Sequence, residues 1–157
     1  GKLLVRVEGP LRTDREIVLE AVRQNWEALK YTGGLCSDQE TVLAAVRQNW
    51  EAYKFAARSV RADRTVMLEA VKQNWRAVVG LAPELGADRE IFDAALEQSW
   101  EALKYTAALR EDRDVVLKAV SHSWEAFRLA GPALRADREI VLEAMRQDFG
   151  AFWLAAD

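Results

Sequence analysis

Residues 14–32 read DREIVLEAVRQNWEALKYT, and this unit recurs along the whole chain. One aromatic residue marks each of the six copies at steps of 24 or 25 residues: Trp26, Trp50, Trp75, Trp100, Trp124 and Phe149. An aspartate lies twelve positions before each of them: Asp14, Asp38, Asp63, Asp88, Asp112 and Asp137. A fixed period of this length is typical of proteins built from stacked structural repeats.

Within one unit the residues predict two helices. Asp14 is a favoured N-cap, because its carboxylate accepts hydrogen bonds from backbone N–H groups at a helix start. The apolar residues that follow, such as Val18 and Val22, recur at helical spacing. Asn25 is again a good N-cap, and the equivalent positions hold Asn, Ser or Asp. We therefore expect the first helix to end there and a second, short helix to begin at Trp26.

Neither helix is long enough to be stable alone, since isolated helices shorter than about 12–15 residues are marginal in water. Repeats of this kind bury their apolar faces by stacking on their neighbours. The sequence thus predicts an all-α fold, an α-solenoid of six two-helix repeats of 24–25 residues, over residues 11–157. Residues 1–10 do not fit the repeat. Leu3, Val5 and Val7 alternate ahead of Gly9-Pro10, which predicts a short strand-like N-terminal segment or the end of a preceding domain.

Composition excludes several classes of protein. The 157 residues include 22 basic and 25 acidic side chains, a net charge of -3 that disfavours a nucleic-acid-binding surface. No apolar stretch approaches the roughly 20 residues that span a bilayer. Cys36 is the single cysteine, so no disulfide can form within the chain, which favours a reducing intracellular compartment or organelle.

We find no residue pattern that predicts catalysis, a cofactor or a metal site, so we expect a protein that is not an enzyme. His122 is the single histidine and lies between two serines, without an acidic residue placed to orient it. The tryptophans are interpreted as the main core filler of each layer. Two polar columns are interpreted as surface features. The glutamine column is expected to hydrogen-bond within the turn that ends the first helix; it consists of Gln24, Gln48, Gln73, Gln98 and Gln147. The arginine column is expected to pair with nearby glutamates; it consists of Arg15, Arg64, Arg89, Arg113 and Arg138.

A few residues depart from the repeat in ways that indicate a partner. Asp93 occupies a column that holds leucine in the other copies, and Val79 stands where four other copies have a basic residue. The end of the sixth copy is unusually apolar, although a terminal repeat that faces water is expected to be polar. We therefore expect either that more chain follows Asp157 or that this end docks on a partner. The candidate partner contacts are therefore Asp93, Val79, Phe149, Phe152, Trp153 and Leu154.

The unit also resembles the tandem repeat catalogued as domain of unknown function 4116, whose copies read D-R-E-x-V-L-x-A-V-x-Q-N-G-x-A-L-x-Y-A. The resemblance covers residues 11–156, with Trp in five copies where that family often has Gly. It implies a helical repeat fold and adds weight to a role in interaction. We expect a protein–protein interaction scaffold whose partner is another protein or a multi-subunit complex, such as an accessory or linker subunit of a large assembly. The alternatives are an RNA-binding helical repeat protein and a protein that binds a small ligand or cofactor.

Overall fold

The computed structural model describes residues 9–155, and within this range every regular element is helical. One α-helix follows each capping aspartate, as the repeat predicts. These helices are α1 (Arg15–Gln24), α2 (Gln39–Gln48), α3 (Arg64–Gln73), α4 (Arg89–Leu96), α5 (Arg113–His122) and α6 (Arg138–Gln147). The all-α repeat fold is confirmed. The strand predicted for residues 1–10 falls almost wholly on residues outside the described range; Gly9–Arg12 form a 3-10 helix.

The capping residues behave as the sequence predicts. The Asp38 carboxylate accepts from the backbone N–H of Thr41 at 2.9 Å, which satisfies one of the donors left open at the start of α2. Asn25 has extended backbone angles, and its N–H bonds to the Ala21 carbonyl at the end of α1. Its side-chain oxygen accepts from the Glu27 N–H at 2.9 Å. One residue therefore ends the first helix and caps the second.

The second helix of the first five repeats is a 3-10 helix of six residues. The five are Trp26–Tyr31, Trp50–Phe55, Trp75–Gly80, Trp100–Tyr105 and Trp124–Leu129, and α7 (Ala151–Ala155) takes this place in the sixth repeat. Six residues allow few i to i+4 bonds, so the tighter i to i+3 pattern satisfies more of the backbone.

The connectors between successive repeats each contain a further short helical segment. These segments are Gly33–Ser37, Arg58–Arg61, Pro83–Leu85, Ala108–Glu111 and Pro132–Arg135. Most carry one apolar side chain that is buried, as at Val60, Leu109 and Leu134, with exposed fractions of 4%, 8% and 9%. Burial of this side chain explains why the connector packs instead of looping into solvent.

The chain divides into two compact units, Gly1–Leu85 and Gly86–Asp157, and each contains three repeats. In the first unit, α2 packs against both α1 and α3, and Val18, Val42 and Leu29 lie in the interior. In the second unit, α5 packs against α4 and α6 around Phe92 and Phe127. Aliphatic and phenylalanine side chains thus fill the core of each unit.

The tryptophans are only half-buried, so the prediction that they are the main core filler is wrong. A cation covers several of the rings: Lys54 Nζ lies 5.1 Å from the centre of the Trp50 ring, and Lys104 Nζ lies 4.7 Å from that of Trp100. Each of these lysines also pairs with a glutamate three residues earlier. The indole rings therefore form an outer layer, with one face packed and one face near solvent.

Candidate protein-binding surface of the sixth repeat

Neighbouring repeats are joined by a side-chain amide. The Gln48 Nε2 donates to the Val22 carbonyl of the preceding repeat, and its Oε1 accepts from the Trp26 N–H at 3.1 Å. Gln48 also reaches the Ala44 carbonyl of its own helix at 3.5 Å, as the sequence suggested, but its shorter contacts cross to the preceding repeat, and we call such residues bridging glutamines. They satisfy a carbonyl near the end of one helix and the N–H at the start of the next. The same contacts recur from Gln73 to Val46 at 2.6 Å, and from Gln147 to Val120 at 2.7 Å and to Trp124 at 2.8 Å.

A second polar contact joins neighbouring repeats at their helix starts. Arg113 Nε donates to the capping Asp137 of the next repeat at 2.9 Å, and Nη2 reaches Glu139. The hydrogen bond from Arg113 lowers the pKa of Asp137, since it stabilises the carboxylate. The arginines thus do pair with acidic residues, as expected, but across the junction. Arg15 pairs with Asp38 and Glu40, and Arg89 with Asp112 and Asp114, in the same way.

The outer side of the sixth repeat exposes side chains whose equivalents are interior elsewhere. Phe152 is 45% exposed, whereas its equivalents Leu29, Tyr53, Leu103 and Phe127 are between 0% and 5% exposed. Val141 and Met145 on α6 are half-buried. In repeats that are followed by another repeat of the same unit, the equivalent residues are fully buried. Those equivalent to Val141 are Val18, Val42, Phe92 and Val116, and those equivalent to Met145 are Val22, Val46, Leu96 and Val120.

Aromatic rings extend this exposed area. The Phe149 and Phe152 rings are stacked with centres 5.7 Å apart, and Trp153 meets Phe152 edge-on at 5.5 Å. Phe149 is 65% and Trp153 66% exposed, while Leu154 is half-buried. We call the set Val141, Leu142, Met145, Phe149, Phe152, Trp153 and Leu154 the C-terminal apolar surface.

The structure therefore brings together four of the six predicted contact residues, Phe149, Phe152, Trp153 and Leu154. Sequence reasoning missed Val141, Leu142 and Met145, because their columns are ordinary core positions in every copy. The signal lay in the register: within these 157 residues no further copy follows the sixth to bury its core columns.

Asp93 lies apart from this surface, on α4. Its carboxylate is 3.8 Å from Arg89, one turn earlier, and its backbone carbonyl accepts from Lys118 Nζ at 3.4 Å. Leucines of this column range from 8% exposed at Leu19 to 37% at Leu142, so the column lies at the edge of the apolar stripe. Asp93 is thus a paired polar residue at that edge.

Val79 belongs to the first unit and is 59% exposed. Its neighbour Gly80 replaces the aromatic residue or leucine of the other copies for a packing reason. A Cβ at Gly80 would lie 1.9 Å from the ring of Tyr53, which is 5% exposed. Tyr53 stands where Leu29 and Leu103 stand in other repeats, so the larger ring of one repeat is matched by a glycine in the next.

The remaining surface offers little to a small ligand. An open groove of about 580 Å³ on the second unit is lined by Arg138, Arg146, Glu139 and Glu143, with Leu117, Ser121 and Leu142. Its charges balance, and Arg146 is paired with Glu143 at 2.9 Å. In residues 9–155, no group of three or more histidine, cysteine or carboxylate side chains is placed to hold a metal ion, and no helix has the length and apolar character to cross a membrane.

Comparison with known proteins agrees with the repeat architecture. Neither the curated proteins nor the solved structures include a match to this chain. A family model described as "Domain of unknown function (DUF4116)" matches at residues 1–33, 14–61, 38–85 and 112–157. The first three matches overlap, as expected when one model aligns with a tandem repeat in several registers, and the four together cover more than half of the chain. The chain belongs to this DUF4116 family.

Proposed function

We propose that this protein is a protein–protein interaction module that binds its partner through the C-terminal apolar surface. One observation carries the proposal: Phe152 is 45% exposed in a column that is otherwise interior, and it stacks with the still more exposed Phe149. Contiguous exposed apolar area of this kind marks interaction sites in soluble proteins. Aromatic residues are also the side chains most enriched among those that dominate binding energy.

The charged surface supports a protein partner over a nucleic acid. Binding to a phosphate backbone requires lysines and arginines that are free to displace counterions. In the column most suited to that role, Arg15, Arg89 and Arg113 are committed to carboxylates, as between Arg113 and Asp137. The lysines over the tryptophan rings are paired as well, Lys104 with Glu101 at 2.7 Å.

The test is quantitative capture from a nuclease-treated lysate with the full chain as bait, read by mass spectrometry. Phe152→Ser and Trp153→Ala remove apolar area from the surface and should each deplete the same set of captured proteins. Val79→Ser is the matched control, because Val79 is equally exposed but lies in the other unit. Circular dichroism should show that all three variants keep their helices. Capture of identical protein sets by wild type and by both surface variants would refute the proposal.

A further inference from the structure

The first repeat carries an exposed face that matches the C-terminal apolar surface. Ile17 on α1 is 39% exposed, whereas its equivalents Thr41, Val66, Val115 and Ile140 are 0% or 1% exposed. Leu11 is 47% exposed, against 4%, 8% and 9% for the equivalent Val60, Leu109 and Leu134, while the equivalent Leu35 is half-buried. Ala21 is half-buried where Ala45 and Ala144 are fully buried. In the other repeats these positions face the preceding repeat of the same unit.

The polar groups of this face are those that a preceding repeat normally engages. Glu16 is equivalent to Glu40 and Glu139, which pair with Arg15 and Arg113, yet no ion pair to its carboxylate occurs among residues 9–155. Gln24 is equivalent to the bridging glutamines, but its amide reaches only Glu20 of its own helix, at 3.2 Å.

The sixth repeat presents the complementary half of the same junction. Arg138 is equivalent to Arg15 and Arg113, is exposed, and has no hydrogen-bonding or ion-pair partner within the described part of the chain. The apolar side chains beside it, Val141 and Phe152, are those that a following repeat covers elsewhere.

We infer that the C-terminal apolar surface seats the first repeat of a second copy of this chain, in a head-to-tail contact. Arg138 of one copy then meets Glu16 and Asp14 of the next, and the Gln24 amide bridges the junction as Gln147 does within the chain. Ile17 and Leu11 cover Val141 and Phe152. This inference rests on the proposed function, since it names the occupant of the same surface. A contact between two different faces leaves each added copy with one face free, so association continues with concentration unless the copies close into a ring.

The junctions already present in the chain argue for this occupant over an unrelated protein. Of the junctions within the two units, three combine an arginine-to-carboxylate contact with apolar columns at fixed register, as between α5 and α6. Between α2 and α3, the Gln39 amide donates to the Asp63 carboxylate at 2.9 Å instead. The two exposed faces offer these contacts with opposite charge at matching positions. Electrostatic complementarity of this kind selects a partner and fixes its register.

The test is sedimentation velocity of the full chain over a wide concentration range, with two charge reversals. Arg138→Glu and Glu16→Arg each place like charges at the junction, and both residues are exposed and unpaired, so both variants should fold normally. We expect the weight-average mass of wild type to rise continuously, and each variant alone to associate at least tenfold more weakly. An equimolar mixture of the two variants should regain association, because position 138 of one variant then meets an opposite charge at position 16 of the other. A double variant that carries both reversals should also associate. Arg47→Glu, a reversal on α2 away from both faces, should leave association unchanged.

Three results would overturn the inference: a wild-type chain that stays monomeric, a mass that stops at a dimer, or variants that fail to complement each other in the mixture. These outcomes are separate from the test of the proposed function. A monomeric chain whose capture of other proteins still depends on Phe152 and Trp153 keeps the interaction role and removes the second copy as the occupant. Continuous association that both charge reversals weaken and the mixture restores supports the head-to-tail contact.

Discussion

Substitution of a bridging glutamine tests the principal polar contact between repeats. In Gln48→Ala, the Val22 carbonyl loses its donor and the Trp26 N–H loses its acceptor, while the apolar packing of α2 is untouched. A hydrogen bond contributes about 0.5–1.5 kcal/mol net, so the two together contribute about 1–3 kcal/mol. Water can reach both groups because Gln48 is exposed, which places the expected loss toward the lower end.

The first repeat supplies a matched control. Gln24→Ala makes the same chemical change at the same position of a repeat, but Gln24 bonds only to Glu20 within α1. The gain in helix propensity from Gln to Ala is common to both variants and cancels in the difference between them. We therefore expect the free energy of unfolding of Gln48→Ala to fall about 1–2 kcal/mol below that of Gln24→Ala.

Urea denaturation followed by circular dichroism gives both free energies, and the slope against urea should be the same for the two variants. In chains of this size range, a loss of 1 kcal/mol lowers the melting temperature by about 2–8 °C, so the difference between the two variants is also visible in their melting temperatures. Equal stability of Gln48→Ala and Gln24→Ala would show that the bridging contact adds nothing, and would refute the reasoning.

Three further predictions concern individual positions. Gly80→Ala forces a methyl group against the buried Tyr53 ring and should lower the free energy of unfolding by about 1–3 kcal/mol in urea titration; a neutral effect would show that the ring moves aside freely. His122→Gln places an amide where the fifth repeat lacks the bridging glutamine, and should raise the melting temperature by a few degrees, at about 2–8 °C per kcal/mol; a lower melting temperature would contradict it. The hydrogen bond from the Thr41 hydroxyl lowers the pKa of Asp38, so its contribution to stability is present above the ordinary carboxyl pKa of about 4 and is lost as the pH falls below it. The difference in free energy of unfolding between wild type and Asp38→Asn should therefore become smaller as the pH falls to about 3, which is about one unit below the ordinary carboxyl pKa. A difference that stays constant across this pH range would argue against the effect.

The elements of the fold follow from local chemistry, which is why the sequence predicts them. Asp38 and Asn25 show their capping role in the residue type alone, and the spacing of Val18 and Val22 shows which face is buried. These features depend on neighbours within a few residues, so they can be read in one dimension.

The contacts between repeats could not be predicted in the same way. Whether Gln48 reaches Val22 of the preceding repeat, in addition to its own helix, depends on how closely two helices approach, and no residue type encodes that distance. The prediction that the tryptophans lie in the core is wrong for a related reason. Size suggests the interior, but Trp50 has a polar edge and a nearby lysine that hold one face of the ring toward solvent. For the candidate site, Phe152 and Trp153 were identified by composition, whereas Val141 was identified only by comparing the burial of its column.

The shared cap at Asn25 has a consequence for how such a chain lengthens. Because one residue closes the first helix and opens the second, the distance from each capping aspartate to its aromatic residue is constant at twelve positions in all six copies. The variation between 24 and 25 residues falls in the connector, after the second helix. Duplication or loss of one whole copy by unequal recombination would therefore leave every remaining arginine, carboxylate and glutamine in phase with its counterpart. A gene of this kind can gain or lose whole repeats while the contacts between neighbouring repeats stay the same.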